Sequence, residues 1–242
     1  MKQLLIIICL FITCFNANSQ KSVDVDKDLN PNANAFNSFF TVAGTPFVMT
    51  KFSRVVSGTP FFQEQLMKGA IIVSGGKEYK NILVRLNLLE TQVNYLDDKQ
   101  VEIVASTPIR EVVLWDTIYG KDYRFVHSDY IQAQASVKKP EKDFYELLQA
   151  GKTELYKQHK KLMSETRPYG SATTEQTIET QQAYFILYNG NWVKFKRLKE
   201  LSDILTDKKD EVSKFIADKQ ISGDTAQNFE IVVNYYNSLF IK

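Results

Sequence analysis

The chain holds two histidines, His127 and His159. His127 stands in His127-Ser128-Asp129, and positions two apart on a strand face the same side. That triplet sets one imidazole beside one carboxylate. A metal site needs three or four such ligands, and His159 lies far along the chain. A Ser-His-Asp relay needs three groups in spatial sequence, which adjacency along the backbone does not supply. The triplet therefore reads as a strand end running into a turn. The chain contains no Gly-x-Ser-x-Gly elbow, no His-Glu-x-x-His helix, no phosphate-cradling glycine loop and no calcium loop. Carboxylates are plentiful, but a glycosidase pair is defined by separation in space and a perturbed pKa. Asp97-Asp98 reads as a hairpin turn and Asp224 as a helix cap. No catalytic, cofactor-binding or metal-ligating residue is assigned, and no cofactor is expected.

Basic residues gather in two places. Lys157, His159 and Lys161 share one face of a candidate strand. Lys194, Lys196, Arg197 and Lys199 lie where the last strand meets the first C-terminal helix. If the two segments are neighbours, they make a positive surface suited to an anionic glycan or lipid head group; otherwise each is a solvated face. Phe36, Phe39, Phe40, Phe61 and Phe62 precede the strands, either closing one end of a sheet or forming an aromatic platform for a ligand.

These residues must be held by a strand-rich body. Gly69 to Val73 is a short apolar run, and Ser74-Gly75-Gly76 is a hairpin signal. Ile82, Val84, Leu86 and Leu88 alternate with Arg85 and Asn87. Val93 and Tyr95 continue in a third strand, and Asp97-Asp98-Lys99 turns the chain. Val101, Ile103 and Ala105 form a fourth, Ile109 to Trp115 a fifth, and Tyr123, Phe125 and His127 a sixth. Phe144, Leu147 and Leu148 sit at helical spacing before Ala150-Gly151. Thr153 to Leu162 is a weak strand, and Arg167 to Gln182 a long loop or polar strand. Tyr184 to Tyr188 is a central strand, followed by the hairpin signal Asn189-Gly190-Asn191 and a return over Trp192 to Phe195. Three helices close the chain. Leu198, Leu201 and Leu205 mark the first. Thr206-Asp207 caps the second, with Val212, Phe215 and Ile216 on its apolar face. Asp224 and Gln227 form a capping box for the third, with Phe229, Val232, Val233, Tyr236 and Phe240 on its stripe.

The expected fold class is α+β: an antiparallel β-meander, as a curved sheet or partly open barrel, with the C-terminal helices packed on it. The domain order is a signal peptide over 1–19, a polar leader over 20–44, and one β-rich domain over 45–242 whose part from about 197 is helical.

Export is read from the N-terminus. Lys2 precedes an apolar run from Leu4 to Phe15, and Ala17-x-Ser19 sets a small-x-small site before Gln20. The run is shorter than the about 20 residues a membrane span requires. Both cysteines, Cys9 and Cys14, fall inside this segment, so the mature chain forms no disulfide. Phe11-Ile12-Thr13 before Cys14 lacks the Leu and the small residue of a lipid-attachment site. The expected location is periplasmic or extracellular, with no transmembrane helix in the mature chain. The full chain carries 30 Lys and Arg against 28 Asp and Glu, a near balance that argues against a nucleic-acid partner.

Gly69-Ala70-Ile71-Ile72, Lys77-Glu78-Tyr79-Lys80-Asn81-Ile82, the Tyr188-Asn189-Gly190-Asn191-Trp192 hairpin, a Lys-rich helix pair and Asn234-Tyr235-Tyr236-Asn237 resemble an uncharacterised group of secreted Bacteroidota proteins. The resemblance runs from Gly69 to the C-terminus and rests on packing and turn residues, so it transfers no functional residue. Asp116-Thr117-Ile118 and Asp224-Thr225-Ala226 also fit the loose Asp-Ser/Thr-apolar acceptor pattern of such proteins, a pattern short enough to arise by chance. The expected function is an exported, non-enzymatic envelope protein that binds another macromolecule. A small apolar-ligand carrier, with its pocket on the Ile82, Val84, Leu86 face, is the alternative. A secreted hydrolase is the third.

Overall fold

The computed structural model describes residues 44–46, 53–134 and 139–241. The aromatic residues Phe36, Phe39 and Phe40, the N-terminal segment and most of the leader lie outside them. The described strands are β1 (Gly44–Pro46), β2 (Ser53–Ser57), β3 (Met67–Val73), β4 (Glu78–Asn87), β5 (Gln92–Leu96) and β6 (Glu102–Ala105). Then come β7 (Ile109–Asp116), β8 (Lys121–His127), β9 (Phe144–Gln149), β10 (Glu154–Thr166), β11 (Thr174–Tyr188) and β12 (Asn191–Phe195). The helices are α1 (Leu198–Ile204), α2 (Lys209–Asp218) and α3 (Ala226–Ser238).

All twelve strands join one sheet in the order β1-β6-β5-β4-β3-β7-β8-β9-β10-β11-β12, with β2 alongside β11. The sheet is antiparallel except where β2 runs parallel to β11, and it does not close into a barrel. The meander is interrupted once. After β6 the chain returns to the far side of β3, so β3 lies between β4 and β7. Gly69 permits this central position: a Cβ there would sit 2.1 Å from the Val113 carbonyl oxygen.

Period-two alternation gives the sheet two distinct faces. One row crosses five strands as Phe125, Glu146, Lys157, Tyr184 and Phe195. The adjacent row, on the opposite face, runs Val126, Tyr145, Gln158 and Ala183. We call the first the helix face, because α1 to α3 pack against it. Its core is in two parts. Ile71, Ile82, Val84, Leu86, Leu114, Phe125 and Phe144 belong to one cluster. Leu155, Ile186, Tyr188 and Phe195 meet Leu201, Val212, Phe229, Val233 and Tyr236 in the other. The opposite face carries a smaller cluster of Val126, Ile131, Tyr145, Tyr156 and Trp192.

Four expectations are corrected. The segment around Phe144 and Leu148 is strand β9, not helix. It pairs on both edges, with β8 and β10, and ladder bonds on two sides outweigh a helical spacing only one turn long. Thr206-Asp207 caps nothing: α2 has no side-chain cap. Asp207 instead accepts hydrogen bonds of 3.0 Å from the Tyr188 and Tyr236 hydroxyls, tying β11 to α3. The third helix is capped by Thr225, which accepts from the Asn228 amide at 3.3 Å. Asp224 accepts from the Leu198 amide at 2.7 Å and so caps α1 from across a loop. Finally, Phe215 and Phe240 are outside the core. Phe215 stacks on Tyr235 with centroids 3.9 Å apart, and Phe240 is 37% exposed beneath the Lys152 ammonium.

Among the described residues, no helix is long and apolar enough to cross a membrane.

Candidate binding face and the buried polar seam

Charged residues on the helix face collect where the two core clusters meet. Glu146 on β9 and His159 on β10 lie on the same face. His159 Nε2 stands 2.6 Å from Glu146 Oε2, and the two side chains are 10% and 4% exposed. Burial alone raises a carboxyl pKa. Here the hydrogen bond and charge of His159, with the nearby Lys121 and Lys157, outweigh burial and hold Glu146 below its ordinary value. The Lys121 ammonium is 3.5 Å from Glu146 Oε1. Lys157 lies directly opposite Glu146 in the ladder, and burial pushes its pKa down. Glu230 of α3 faces the same charges, and burial pushes its carboxyl up. Phe62 and Phe125 pack over the imidazole, with ring centroids 5.2 and 6.1 Å away. A general acid or base must reach the proton it transfers. The Glu146–His159 pair is sealed from that role and acts as a tie between β9 and β10.

His127 and Asp129 are also a local tie. His127 Nδ1 accepts from the Asp129 amide at 3.3 Å, opening a short 3-10 turn over Ser128–Tyr130. The histidine is not at an exposed strand end: it is 9% exposed against Phe144. Burial holds its pKa below the ordinary histidine value, with Lys142 adding to the effect and Asp129 opposing it. Among the described residues, no three His, Cys, Asp or Glu side chains group as a metal site would need.

The opposite face is partly covered. After β8, residues 128–134 and 139–143 form a strap on it. Ile131 fastens it to the sheet, buried among Val126, Tyr145, Tyr156 and Trp192. The Gln134 amide donates to the Gly190 carbonyl at 2.8 Å, at the β11–β12 turn. That turn requires positive φ at both Asn189 and Gly190, the geometry of an Asn-Gly hairpin. At the base of the strap, the Ser128 amide donates to the Asp143 carbonyl at 2.9 Å. Asp143 is buried, which raises its carboxyl pKa, and it accepts 2.8 and 2.7 Å hydrogen bonds from Gln158 Nε2 and its neighbour's amide, Phe144.

Among the described residues, the pockets on this face include two beside the strap. The first has a volume of about 360 Å³ and runs from Lys139 and Glu141 to the ends of β10, β11 and β12. Its apolar wall is Tyr145, Phe185 and Trp192. Phe185 and Trp192 stack with centroids 4.9 Å apart and an interplanar angle of 10°, and Tyr145 meets both edge-on. Around the wall stand the amides of Gln158 and Gln181 and the cations Lys139, Lys160 and Lys194. The second pocket, of about 380 Å³, is lined by Arg110, Glu111, Arg124, Tyr130, Lys152, Glu154 and Tyr156, among others.

The sheet register sorts the sequence-predicted basic residues differently from the expectation of one surface. Lys157, His159 and Lys161 do share a face, but it is the helix face, where all three are partly or fully buried. Lys194 pairs in register with Phe185 and so lies on the strap face. Arg197 is occupied by Glu200 at 2.8 Å. Asp97 is the turn residue expected, its Oδ1 accepting from the Lys99 and Val101 amides. Phe61 and Phe62 are structural. Phe61 is 5% exposed under the Arg85 guanidinium, and Phe62 packs into the helix-face core.

Three features escaped the sequence reading: Glu146, the Arg110–Glu111–Arg124 group and the Phe185–Trp192 stack. Glu111 and Glu146 each stand within an apolar run, and a carboxylate inside a two-edged strand demands a partner. That signal was present for Glu111 in Ile109 to Trp115. For Glu146 it was hidden by reading the segment as helix. No protein-family model, curated protein or solved structure matches the chain.

Proposed function

We propose that the protein is exported and acts as a non-enzymatic binding protein of the cell envelope, with the strap face as its contact surface and a polysaccharide as its macromolecular ligand. Export rests on the Lys2, Leu4 to Phe15 and Ala17-x-Ser19 pattern. The binding role rests on one observation, the groove whose Tyr145, Phe185 and Trp192 wall is ringed by amides and ammonium groups. Sugars present apolar C–H faces and a rim of hydroxyls. The partly exposed Phe185, backed by the buried Tyr145 and Trp192, meets the first, and the exposed Gln181 and Lys194 meet the second.

The apolar-carrier alternative finds less support. Ile82, Val84 and Leu86 are 8%, 0% and 1% exposed within a packed cluster. A hydrolase would need reachable carboxylates, and the most deeply set one on the helix face is held by His159.

Affinity electrophoresis through gels containing envelope polysaccharide tests the proposal. The protein is expected to be retarded, and Phe185→Ala to run freely. Equal migration of both proteins with and without polysaccharide would refute it.

A further inference from the structure

We propose that Arg110 and Arg124 form an oxyanion subsite on the strap face, so that the polysaccharide bound there is an acidic one. This rests on the binding role proposed above and narrows its ligand.

The observation is how one carboxylate holds two guanidinium groups. Glu111 Oε1 takes Arg110 Nε at 3.1 Å. Glu111 Oε2 takes Arg124 Nε at 2.7 Å and Nη2 at 2.5 Å. The glutamate side chain is only 4% exposed, whereas the arginine side chains are 47% and 49% exposed. The acid is therefore at the back and the two cations in front. A guanidinium has five N–H donors. Arg124 spends Nε on a hydrogen bond to Glu111, and both arginines line the pocket.

Two guanidiniums share the one buried carboxylate that braces them. Glu154 lines the same pocket and keeps its own negative charge while its Oε2 accepts the Tyr156 hydroxyl at 2.8 Å, so the positive character is local to the arginine pair. The Lys152 ammonium is 3.6 Å from Asp207 and lies over the Phe240 ring.

Trp192 lies in the buried cluster under Ile131, against Tyr145 and Tyr156, whose side chains line the first and the second pocket, with ring centroids 5.2 Å away in each case. Planar guanidiniums take the two oxygens of a carboxylate in parallel, a geometry an ammonium cannot copy.

The test is binding of the full-length protein to polygalacturonate, dextran sulfate and neutral dextran, by calorimetry at several salt concentrations. Polygalacturonate is expected to bind more tightly than dextran, with affinity falling as salt rises. Arg124→Gln is half-exposed and should fold normally. It is expected to weaken polygalacturonate about tenfold, as loss of a charged hydrogen-bonded pair does, and to leave dextran unchanged. Arg124→Lys keeps the charge and loses the fork, and is expected to bind polygalacturonate more weakly than the parent. Restoration of full affinity by lysine would overturn the fork, and equal binding of dextran and polygalacturonate would overturn the acidic ligand. Preference for dextran sulfate would reassign the oxyanion from carboxylate to sulfate. Absence of binding to every polysaccharide would instead refute the binding role itself.

Discussion

The two faces of the sheet are made by the same strands, yet they treat charge in opposite ways. On the helix face, charge is internal. Glu146 is locked to His159, Lys121 approaches the same carboxylate, and Asp207 is held by two tyrosine hydroxyls. Those groups lie between apolar clusters and hold elements together. On the strap face, charge is presented. Glu111 is buried and paired here too, but its partners Arg110 and Arg124 are half-exposed, and Lys194 is exposed at a pocket rim. A buried charge without a partner costs several kcal/mol, so pairing is enforced inside. At a half-exposed rim water screens the cost, so a cation can persist. Alternation along β9 and β10 places Glu146 and Tyr145, or Lys157 and Gln158, on different sides of this division.

The contrast can be tested by mutation, starting with the largest effect. Phe229 is 0% exposed between Tyr184 and Phe195. Phe229→Ala is expected to cost about 3 to 5 kcal/mol in chemical denaturation. The loss should appear in one transition, followed both by helix circular dichroism and by fluorescence of Trp115 and Trp192. Two separate transitions would break the single-core reading. Deletion of 199–242 should likewise leave no cooperative fold, because Leu155, Ile186 and Phe195 would lose their cover.

A smaller effect is expected at the seam. Glu146→Leu strands a buried imidazole without its partner and should cost about 1 to 3 kcal/mol. Its pH dependence follows from the depressed Glu146 pKa. A carboxyl whose folded pKa lies below its unfolded one adds stability above the unfolded value. That stability fades as pH falls below about 4.5, through the folded value. Removing the acid should flatten this acid limb of the stability curve. Asp143 works in reverse, since burial raises its pKa. It favours the fold at low pH and loses that contribution as pH rises through its raised value. Asp143→Asn should therefore flatten the stability curve in the opposite sense, as read by melting temperature across pH 3 to 7. If both variants followed the parent curve, neither carboxyl would be coupled to folding.

Phe215→Ala should cost about 1 kcal/mol, the scale of an aromatic pair on a half-buried helix surface. A loss as large as that of Phe229→Ala would place Phe215 in the core. The smallest stability effect is expected at Lys194→Gln, within about 0.5 kcal/mol of the parent. It should nonetheless weaken polysaccharide binding. A variant that binds normally would move the ligand off the first pocket.

The legible parts of the fold are those written in local chemistry. Ile82 to Leu88 alternates because one face is buried. Asn189-Gly190 turns the chain because those residues tolerate positive φ, and both adopt it. Asp97 closes its turn with its own side chain. The helical stripe of Val212, Phe229, Val233 and Tyr236 was readable from its period and is the buried one. Phe215 was misplaced because the stripe alone does not say how deep each residue sits.

The candidate binding face was not legible, because it is assembled from distant segments. Phe185 and Trp192 are neighbours across the β11–β12 hairpin, and that pair follows from the Asn189-Gly190 turn. Tyr145 joins them only because β9, β10 and β11 lie side by side, and β9 itself was hidden by helix-like spacing. Glu111 meets Arg124 across a ladder whose register no local motif announces.

The sequence by itself thus determined strands, turns, helical stripes and near-neutral charge, since each depends on residues within a few positions of one another. The tertiary structure decided which capping acid serves which helix, where β7 returns beside β3, and which face each cation occupies. Those outcomes depend on strand order and on one-residue register. A shift of one residue sends every side chain to the opposite face.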